Sequence, residues 1–215
     1  MSATTTAQGG KDFLLKLGYG FSGAVTFQDS GDTVTFNNHG LANGDVVRFS
    51  VIGTTTGIVI NTNYYVVGAT TNTFQLAAVR GGTALVLTTD GTGTAVEAFE
   101  TVAGLRSTSF TFNAEEIDIT NQDSAQWKQV LSGAGIKSVT VSGSGIFKDD
   151  YSFAKARTIA LAQTLKNWRV CVNTNGDYWQ GCFKITSMEQ AGDYNNESSY
   201  SLSLAGSGEF TYTEV

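Results

Sequence analysis

Apolar and hydroxyl side chains alternate in three stretches of the second half of the chain. Thr108, Phe110 and Phe112 point one way while Ser107, Ser109 and Thr111 point the other. Val139, Val141 and Phe147 oppose Ser138, Thr140, Ser142 and Ser144, and Tyr200, Leu202 and Leu204 oppose Ser199, Ser201 and Ser203. A period of two predicts strands, each with a core face and a hydroxyl face. Asn175-Gly176 marks a two-residue hairpin that puts Trp168, Val170, Val172, Trp179, Phe183 and Ile185 on the core side. That turn pairs Cys171 with Gln180 and leaves Cys182 diagonal, a poor geometry for a disulfide, so both thiols are expected reduced. Gly143 and Gly145 lie inside an otherwise regular strand, which predicts a bend or bulge there.

Two helices are expected among these strands. Asp150 or Ser152 caps a segment from about Phe153 to Thr164 with Phe153, Ala156, Ile159 and Ala160 on one stripe. A shorter one follows Asn121 or Asp123, with Trp127, Val130 and Leu131 on a face and Gly133 as its stop. The first half reads differently. Thr33-Val-Thr-Phe36, Val46-Val-Arg-Phe49, Tyr64-Tyr-Val-Val67, Thr73-Phe-Gln-Leu76 and Ala84-Leu-Val-Leu87 are short strands between turn residues. Glycine-rich connections, Gly18 to Gly23 and Asp90 to Ala95, bound this region. The fold expected is mainly β: one helix packed on a twisted antiparallel sheet, from residues 1–20 and 96–215, and an inserted small all-β module from 21–95.

Charge sharpens that division. Between Phe21 and Ala95 the charged residues are Asp29, Asp32, Asp45, Arg48, Arg80 and Asp90 alone, a sparse and nearly neutral set that suits a module projecting into solvent. The whole chain of 215 residues has a net charge of -6, 25 glycines and no proline. An acidic chain lacks the cations that would grip phosphate, which argues against specific nucleic-acid binding. A chain with no proline also lacks the residue that most simply blocks a strand edge, so its edges are expected to be open to neighbours. No run approaches the roughly 20 apolar residues that cross a bilayer, and the first residues carry no signal-peptide pattern, so neither a membrane partner nor a secretory route is expected.

No constellation points to catalysis, a cofactor or a metal. His39 is the sole histidine and sits in a turn-like Asn37-Asn38-His39-Gly40. Gly18-Tyr-Gly20-Phe-Ser-Gly23 has the spacing of a dinucleotide loop but is followed by Ala24-Val-Thr-Phe27, a strand or loop and not a helix. Glu115, Glu116, Asp118 and Asp123 lack the glycine and terminal glutamate of a calcium loop and read as a solvated or interface segment. Asp149 and Asp150 are helix-start residues, and Asn196-Glu-Ser198 is a formal glycosylation site without a secretion signal.

The motifs that remain carry a resemblance. Gly9-Gly-Lys-Asp-Phe-Leu-Leu-Lys-Leu17, Phe99-Glu-Thr-Val-Ala-Gly-Leu-Arg-Ser-Thr-Ser109, Asn113-Ala-Glu-Glu-Ile-Asp-Ile-Thr-Asn121, Asp123-Ser-Ala-Gln-Trp127, Leu131-Ser-Gly-Ala-Gly135, Ser138-Val-Thr-Val-Ser-Gly-Ser-Gly-Ile-Phe-Lys148 and Ala191-Gly-Asp-Tyr-Asn195 resemble the major tail tube protein of long-tailed, non-contractile bacteriophages and gene transfer agents. The resemblance covers residues 9–20 and 97–210 and is interrupted by the module. It implies a tail-tube β-sandwich or barrel with one flanking helix, and a structural virion protein without cofactors, located in the tail and assembled in the host cytoplasm. Its copies would form hexameric rings stacked into a hollow tube for DNA, in company with tape measure, tail terminator and baseplate proteins.

Within that picture Ser107, Ser109, Thr111, Ser138, Thr140, Ser142, Ser144, Ser199, Ser201 and Ser203 are candidates for the lumen lining, since a hydroxyl-rich face lets a polyanion slide where a basic one would trap it. Glu115, Glu116, Ile117, Asp118, Asn121, Asp123 and Trp127 are candidates for contacts between subunits or rings, with Trp127 as an anchor there or a residue packed in its own subunit. Residues 1–10 are expected to become an ordered arm in the tube. Rival readings are a terminator or baseplate protein of the same fold, a glycan-binding β protein using exposed Tyr64 and Tyr65, and a hydrolase built on the acidic loop.

Overall fold

The computed structural model describes residues 13–102, 105–146, 151–192 and 197–215. The expectations for the N-terminal arm, Phe147, Asp149, Asp150 and Asn196, and parts of the resembling motifs, lie outside them. Described strands in chain order are β1 (Leu14–Gly18), β2 (Gly23–Gln28), β3 (Thr33–Thr35), β4 (Val46–Ile52), β5 (Asn63–Val67), β6 (Thr73–Ala77), β7 (Gly91–Val96), β8 (Phe99–Thr101), β9 (Leu105–Ala114), β10 (Lys137–Ile146), β11 (Lys166–Cys171), β12 (Tyr178–Ala191) and β13 (Ser199–Thr213). One helix, α1 (Tyr151–Ala162), stands between β10 and β11. A seven-stranded sheet runs β8-β1-β11-β12-β13-β10-β9, and β2-β3-β6-β5-β4-β7 closes into a barrel. The fold is mainly β, as the alternation predicts.

The chain divides into two compact units: the described residues of Met1–Leu15, Ala103–Leu165 and Val170–Val215, and Lys16–Val102 with Lys166–Arg169. In the first unit, alternation becomes a buried face. Val139, Val141, Phe183, Ile185, Tyr200, Leu202 and Leu204 are all buried. Helix α1 covers this face with Phe153, Ala156 and Ile159, and the Phe153 ring meets Tyr200 edge-on at 5.1 Å. The sheet curls enough for Phe110 of β9 to stack on Trp179 of β12 at 5.4 Å, across two intervening strands. Toward the strand end the cover runs out, so Phe112 is exposed although it shares the apolar side of β9. Gly143 sits where a Cβ would come within 2.6 Å of Leu105, and the β9–β10 register shifts between Ser144 and Gly145, the bend that the two glycines predict.

The β11–β12 turn is wider than Asn-Gly alone requires. The closing pair is Val172 with Asp177, whose carbonyl accepts the Val172 amide at 2.9 Å. Asn173 explains the difference: its side-chain oxygen accepts from the Gly176 and Asp177 amides, both at 3.0 Å, so an Asx-type turn starts two residues earlier than the tight hairpin. No disulfide joins the cysteines; Cys171 is buried and Cys182 exposed.

In the second unit, the barrel encloses Phe21, Val25, Phe27, Val34, Val47, Phe49, Val66, Phe74 and Leu76. Aromatic edges lock it, Phe21 on Phe74 at 5.7 Å and Phe27 on Phe49 at 5.2 Å. Two expectations for this region change. Asp90 to Ala95, read as a connection, supplies β7, which pairs with β2 on one side and β4 on the other. Its glycines serve close packing: a Cβ on Gly93 would lie 2.5 Å from the Val51 carbonyl oxygen and 2.6 Å from the Phe27 ring. Ala84–Leu87 is not a strand, because β6 is already paired with β3 and β5 and only the Leu85 amide reaches it, bonding the Leu76 carbonyl at 2.7 Å.

The same unit holds a half-buried ionic cluster that the sparse charges of the region do not advertise. Arg80 donates to both oxygens of Glu100 at 2.8 and 2.7 Å and to the Gly44 carbonyl at 2.9 Å, and stacks over Tyr65. The Tyr19 hydroxyl donates to Glu100 at 2.5 Å. Burial, reinforced by this bond to a carboxylate, raises the Tyr19 phenol far above its ordinary value. Its neutral form is therefore the folded form.

Two outcomes follow from these contacts. Replacing Gly93 with Ala should lower stability by about 1–3 kcal/mol through overpacking, read by thermal unfolding; an unchanged melting curve would mean that β4 and Phe27 yield freely. For Tyr19, stability is complete below the unfolded value near 10 and is lost as pH rises past it, since the unfolded chain ionises first. Tyr19→Phe should flatten that alkaline loss, measured as unfolding midpoints between about pH 9 and 11.

Candidate functional site

Two surfaces of the first unit gather the residues singled out by pattern. The first is the hydroxyl face. Register places Ser107 beside Ser144 and Ser144 beside Ser201; Ser109 beside Ser142 and Ser142 beside Ser203; and Thr111 beside Thr140. Three adjacent strands thus bring their hydroxyls into straight rows. Ser107, Ser109, Thr111, Ser138, Thr140, Ser142, Ser144 and Ser199 are exposed, and Ser201 and Ser203 half-buried. The rows lie on the side of the sheet opposite α1, because Val139, Val141, Gly143, Tyr200, Leu202 and Leu204, which alternate with them, are buried.

Pattern reading missed the fourth strand. Ser187 pairs with Ser203 and Glu189 with Ser201, so both continue the rows onto β12, and the Ser201 hydroxyl approaches Glu189 at 3.5 Å. A register shift between Ile185 and Ser187 breaks the alternation of β12 there, and that irregularity hides them in the sequence. The rows contain hydroxyls and, on β12, the carboxylate of Glu189 and the cation of Lys184, which continues the row of Thr111, Thr140 and Ala205.

The second surface is the segment from Glu115 to Ile136, which continues β9 and β10 as an irregular hairpin. The Glu115 amide bonds the Ile136 carbonyl at 3.0 Å, the Leu131 amide the Ile117 carbonyl at 2.9 Å, and the Ile119 amide the Gln129 carbonyl at 3.0 Å, with Asp118 bridged to Val130. The helix expected after Asn121 is only a 3-10 turn, Gln122–Ser124. Asn121 does cap it, accepting from the Asp123 amide at 2.9 Å, and the Ser124 hydroxyl returns to the Asn121 amide at 3.0 Å. Ala125 and Gln126 then take left-handed φ of 47° and 70°, which ends the turn before a helix can propagate.

The hairpin has unlike faces. Pairing puts Ile117, Ile119 and Leu131 on one side and Glu116, Asp118 and Val130 on the other. Lys128 pairs with Glu116, and the hydroxyl and amide of Thr120 hold the Asp118 carboxyl below the usual carboxylate range, so this side stays charged at neutral pH. Trp127 is 78% exposed, which excludes packing within its own subunit. Ile117, Ile119, Val130, Leu131 and Ile136 are exposed as well. So many exposed apolar side chains on one arm are the mark of an interaction surface.

Elsewhere, residues weighed for chemistry have structural partners. His39 Nδ1 accepts the Leu41 amide at 3.0 Å and its ring lies edge-on to Phe74 at 5.1 Å. Gly18 ends β1 and Gly23 begins β2, with no helix behind them. The tyrosines offered as a glycan platform are not free to serve: Tyr64 points into the barrel and is buried, and Tyr65 is half-buried under Arg80.

Residues 78–212 match the family described as phage tail tube protein. The chain is also similar to two solved structures. One is the tail of an empty gene transfer agent particle computed with helical refinement in C6 symmetry: 41% identity, TM-score 0.51, covering 54% of this chain and 86% of that one. The other is the virion of a native gene transfer agent particle, with the same identity and TM-score, covering 54% and 88%. A search of the curated proteins found no match.

The exposure of Trp127 gives a direct check on the hairpin. Trp127→Ala should leave the unfolding free energy of the isolated chain within about 0.5 kcal/mol of the parent. A loss above about 2 kcal/mol would return the indole to the chain's own core.

Proposed function

Because this chain belongs to the phage tail tube protein family, whose members are structural and not enzymatic, we propose that its copies close into hexameric rings that stack into a hollow tube through which DNA passes. The observation that carries this reading is the likeness to a gene transfer agent tail of C6 symmetry. The hydroxyl rows fit the lumen. A duplex carries one charge per about 1.7 Å, and a wall dominated by serine and threonine, with the carboxylate of Glu189 and the single lysine Lys184 on β12, offers phosphates few ion pairs to break during passage. The exposed hairpin fits the contacts between subunits or rings through Glu115, Glu116, Ile117, Asp118, Asn121, Asp123 and Trp127, since both ring closure and stacking are heterologous. In an assembled tail the ends and interior of such a tube meet terminator, baseplate and tape measure proteins, and assembly takes place in the host cytoplasm before the tube becomes part of the virion.

Residues 1–20 and 96–215 form the tube-building core in this proposal, and residues 21–95 a module displayed on the outside of the tube. The closed barrel supports the division, because it leaves no unpaired sheet edge of its own to join a neighbour's. Its first and last strands also lie side by side, with Gly23 opposite Ala95, so the module can be removed without stretching the chain.

Electron microscopy of the purified protein at high concentration tests the assembly. Rings or tubes with six-fold symmetry are expected, and a chain that stays monomeric at every concentration would refute it. Replacing residues 24–94 with a short Gly-Ser turn should preserve tubes of reduced outer diameter. Loss of tubes in a variant that still folds would make the barrel part of the wall.

A further inference from the structure

We propose that the groove between α1 and β12 receives the 115–131 hairpin of a neighbouring copy, an inference that rests on the self-assembly proposed above. The groove has a volume of about 560 Å³ and is lined by Arg157, Leu161, Lys184, Thr186, Met188 and Gln190, among others. Strand lengths create it. β12 carries 14 residues against 6 in β11, so its C-terminal half runs on past the end of β11 and leaves a strand edge beside the helix.

Its chemistry complements the hairpin. Arg157 and Lys184 are the charged residues of the lining, both positive, and neither belongs to the ion pairs among the described residues. The hairpin brings Glu115, Glu116, Asp118 and Asp123 against Lys128. Leu161 projects from α1 with 80% of its surface exposed, and with Met188 offers an apolar wall for Ile117, Ile119 and Leu131. Placement favours a head-to-tail contact. The hairpin leaves the sheet at Ala114 and Lys137, beyond Thr140, which is in line with Ala205 and Lys184. The groove runs from Lys184 toward Gln190, the opposite end, where Ile146 pairs with Ser199 and Ser199 with Ala191. One surface at each end of a sheet is what an open, repeating stack requires.

Mixed cysteine crosslinking tests the contact. In a Cys182→Ser background, chains carrying Ile119→Cys are co-assembled with chains carrying Leu161→Cys and oxidised. Disulfide-linked dimers are expected from the mixture and not from either chain alone. Tubes that form normally without the mixed crosslink would overturn the groove assignment while leaving self-assembly intact. Failure of the parent chain to assemble at all would remove the proposed function, and this contact with it. As a second reading, Arg157→Glu with Lys184→Glu should cut tube yield about tenfold at low salt, and adding Glu115→Lys with Asp118→Lys should restore it. Equal yields in the parent and the doubly reversed groove, with unchanged circular dichroism, would also overturn the proposal.

Discussion

The pairing register of β9, β10 and β13 governs the first unit. Thr140 sits between Thr111 and Ala205, and Ser142 between Ser109 and Ser203. Ser107, Ser109, Thr111, Thr140, Ser142, Ser144, Ser201 and Ser203 are thereby committed to one face, and Val139, Val141, Leu202 and Leu204 to the other. A slip of one residue on β10 alone would drive Val139 and Val141 into water and bury Thr140 and Ser142 without partners. The buried side is where Phe153, Ala156 and Ile159 of α1 seat, so the helix is held by the same register that builds the hydroxyl rows. Hydroxyl rows and core are two consequences of a single alignment.

The second unit depends on different forces. Its strands are short, β3 having 3 residues, and a ladder so brief does not hold a barrel by hydrogen bonds. Interlocked phenylalanines supply cohesion, and Gly93 lets β7 lie close to Phe27 and Val51 while Gly91 lets it lie close to Thr54 and Thr55. The Arg80–Glu100–Tyr19 cluster then fastens the loop that carries Arg80 to β8 and the residue after β1. A half-buried pair of this kind adds definition more than stability, because the desolvation of both ions offsets much of their attraction.

The legible parts of the sequence were those where a period of two met a single buried face. β10, β13 and α1 were readable from Val139, Val141, Leu202, Leu204, Phe153 and Ile159 without further help. The unreadable parts have specific causes. β7 is written in glycine and threonine, which look like a connection until Gly93 is seen to be pressed against Phe27. The hydroxyl rows on β12 are hidden by the shift after Ile185, and the wider turn after Cys171 comes from the side chain of Asn173, a competitor that the Asn-Gly signal overshadows. Ala125 and Gln126 carry no sequence mark of their left-handed backbone, so the helical spacing of Trp127, Val130 and Leu131 misleads. The Arg80–Glu100 pair joins residues 20 positions apart, and nothing local marks either as the other's partner.

The hairpin shows why those misleading residues belong together. Two consecutive non-glycine residues in the left-handed region cost about 1–2 kcal/mol each, and they are placed where they hold an indole in solvent. Exposed Ile117, Ile119, Leu131 and Ile136 add apolar surface that water disfavours by roughly 25 cal/mol per Å². Neither cost is recovered inside the chain: among the described residues the hairpin is tied to itself by its backbone ladder, the Asn121 cap and the Lys128–Glu116 pair. A capped, strained and apolar arm is stable in that shape only because the β9–β10 ladder anchors its base, and its surface is satisfied only when something covers it. In the proposed assembly that cover is most economically another copy of the same chain, since each subunit would then both donate an arm and receive one.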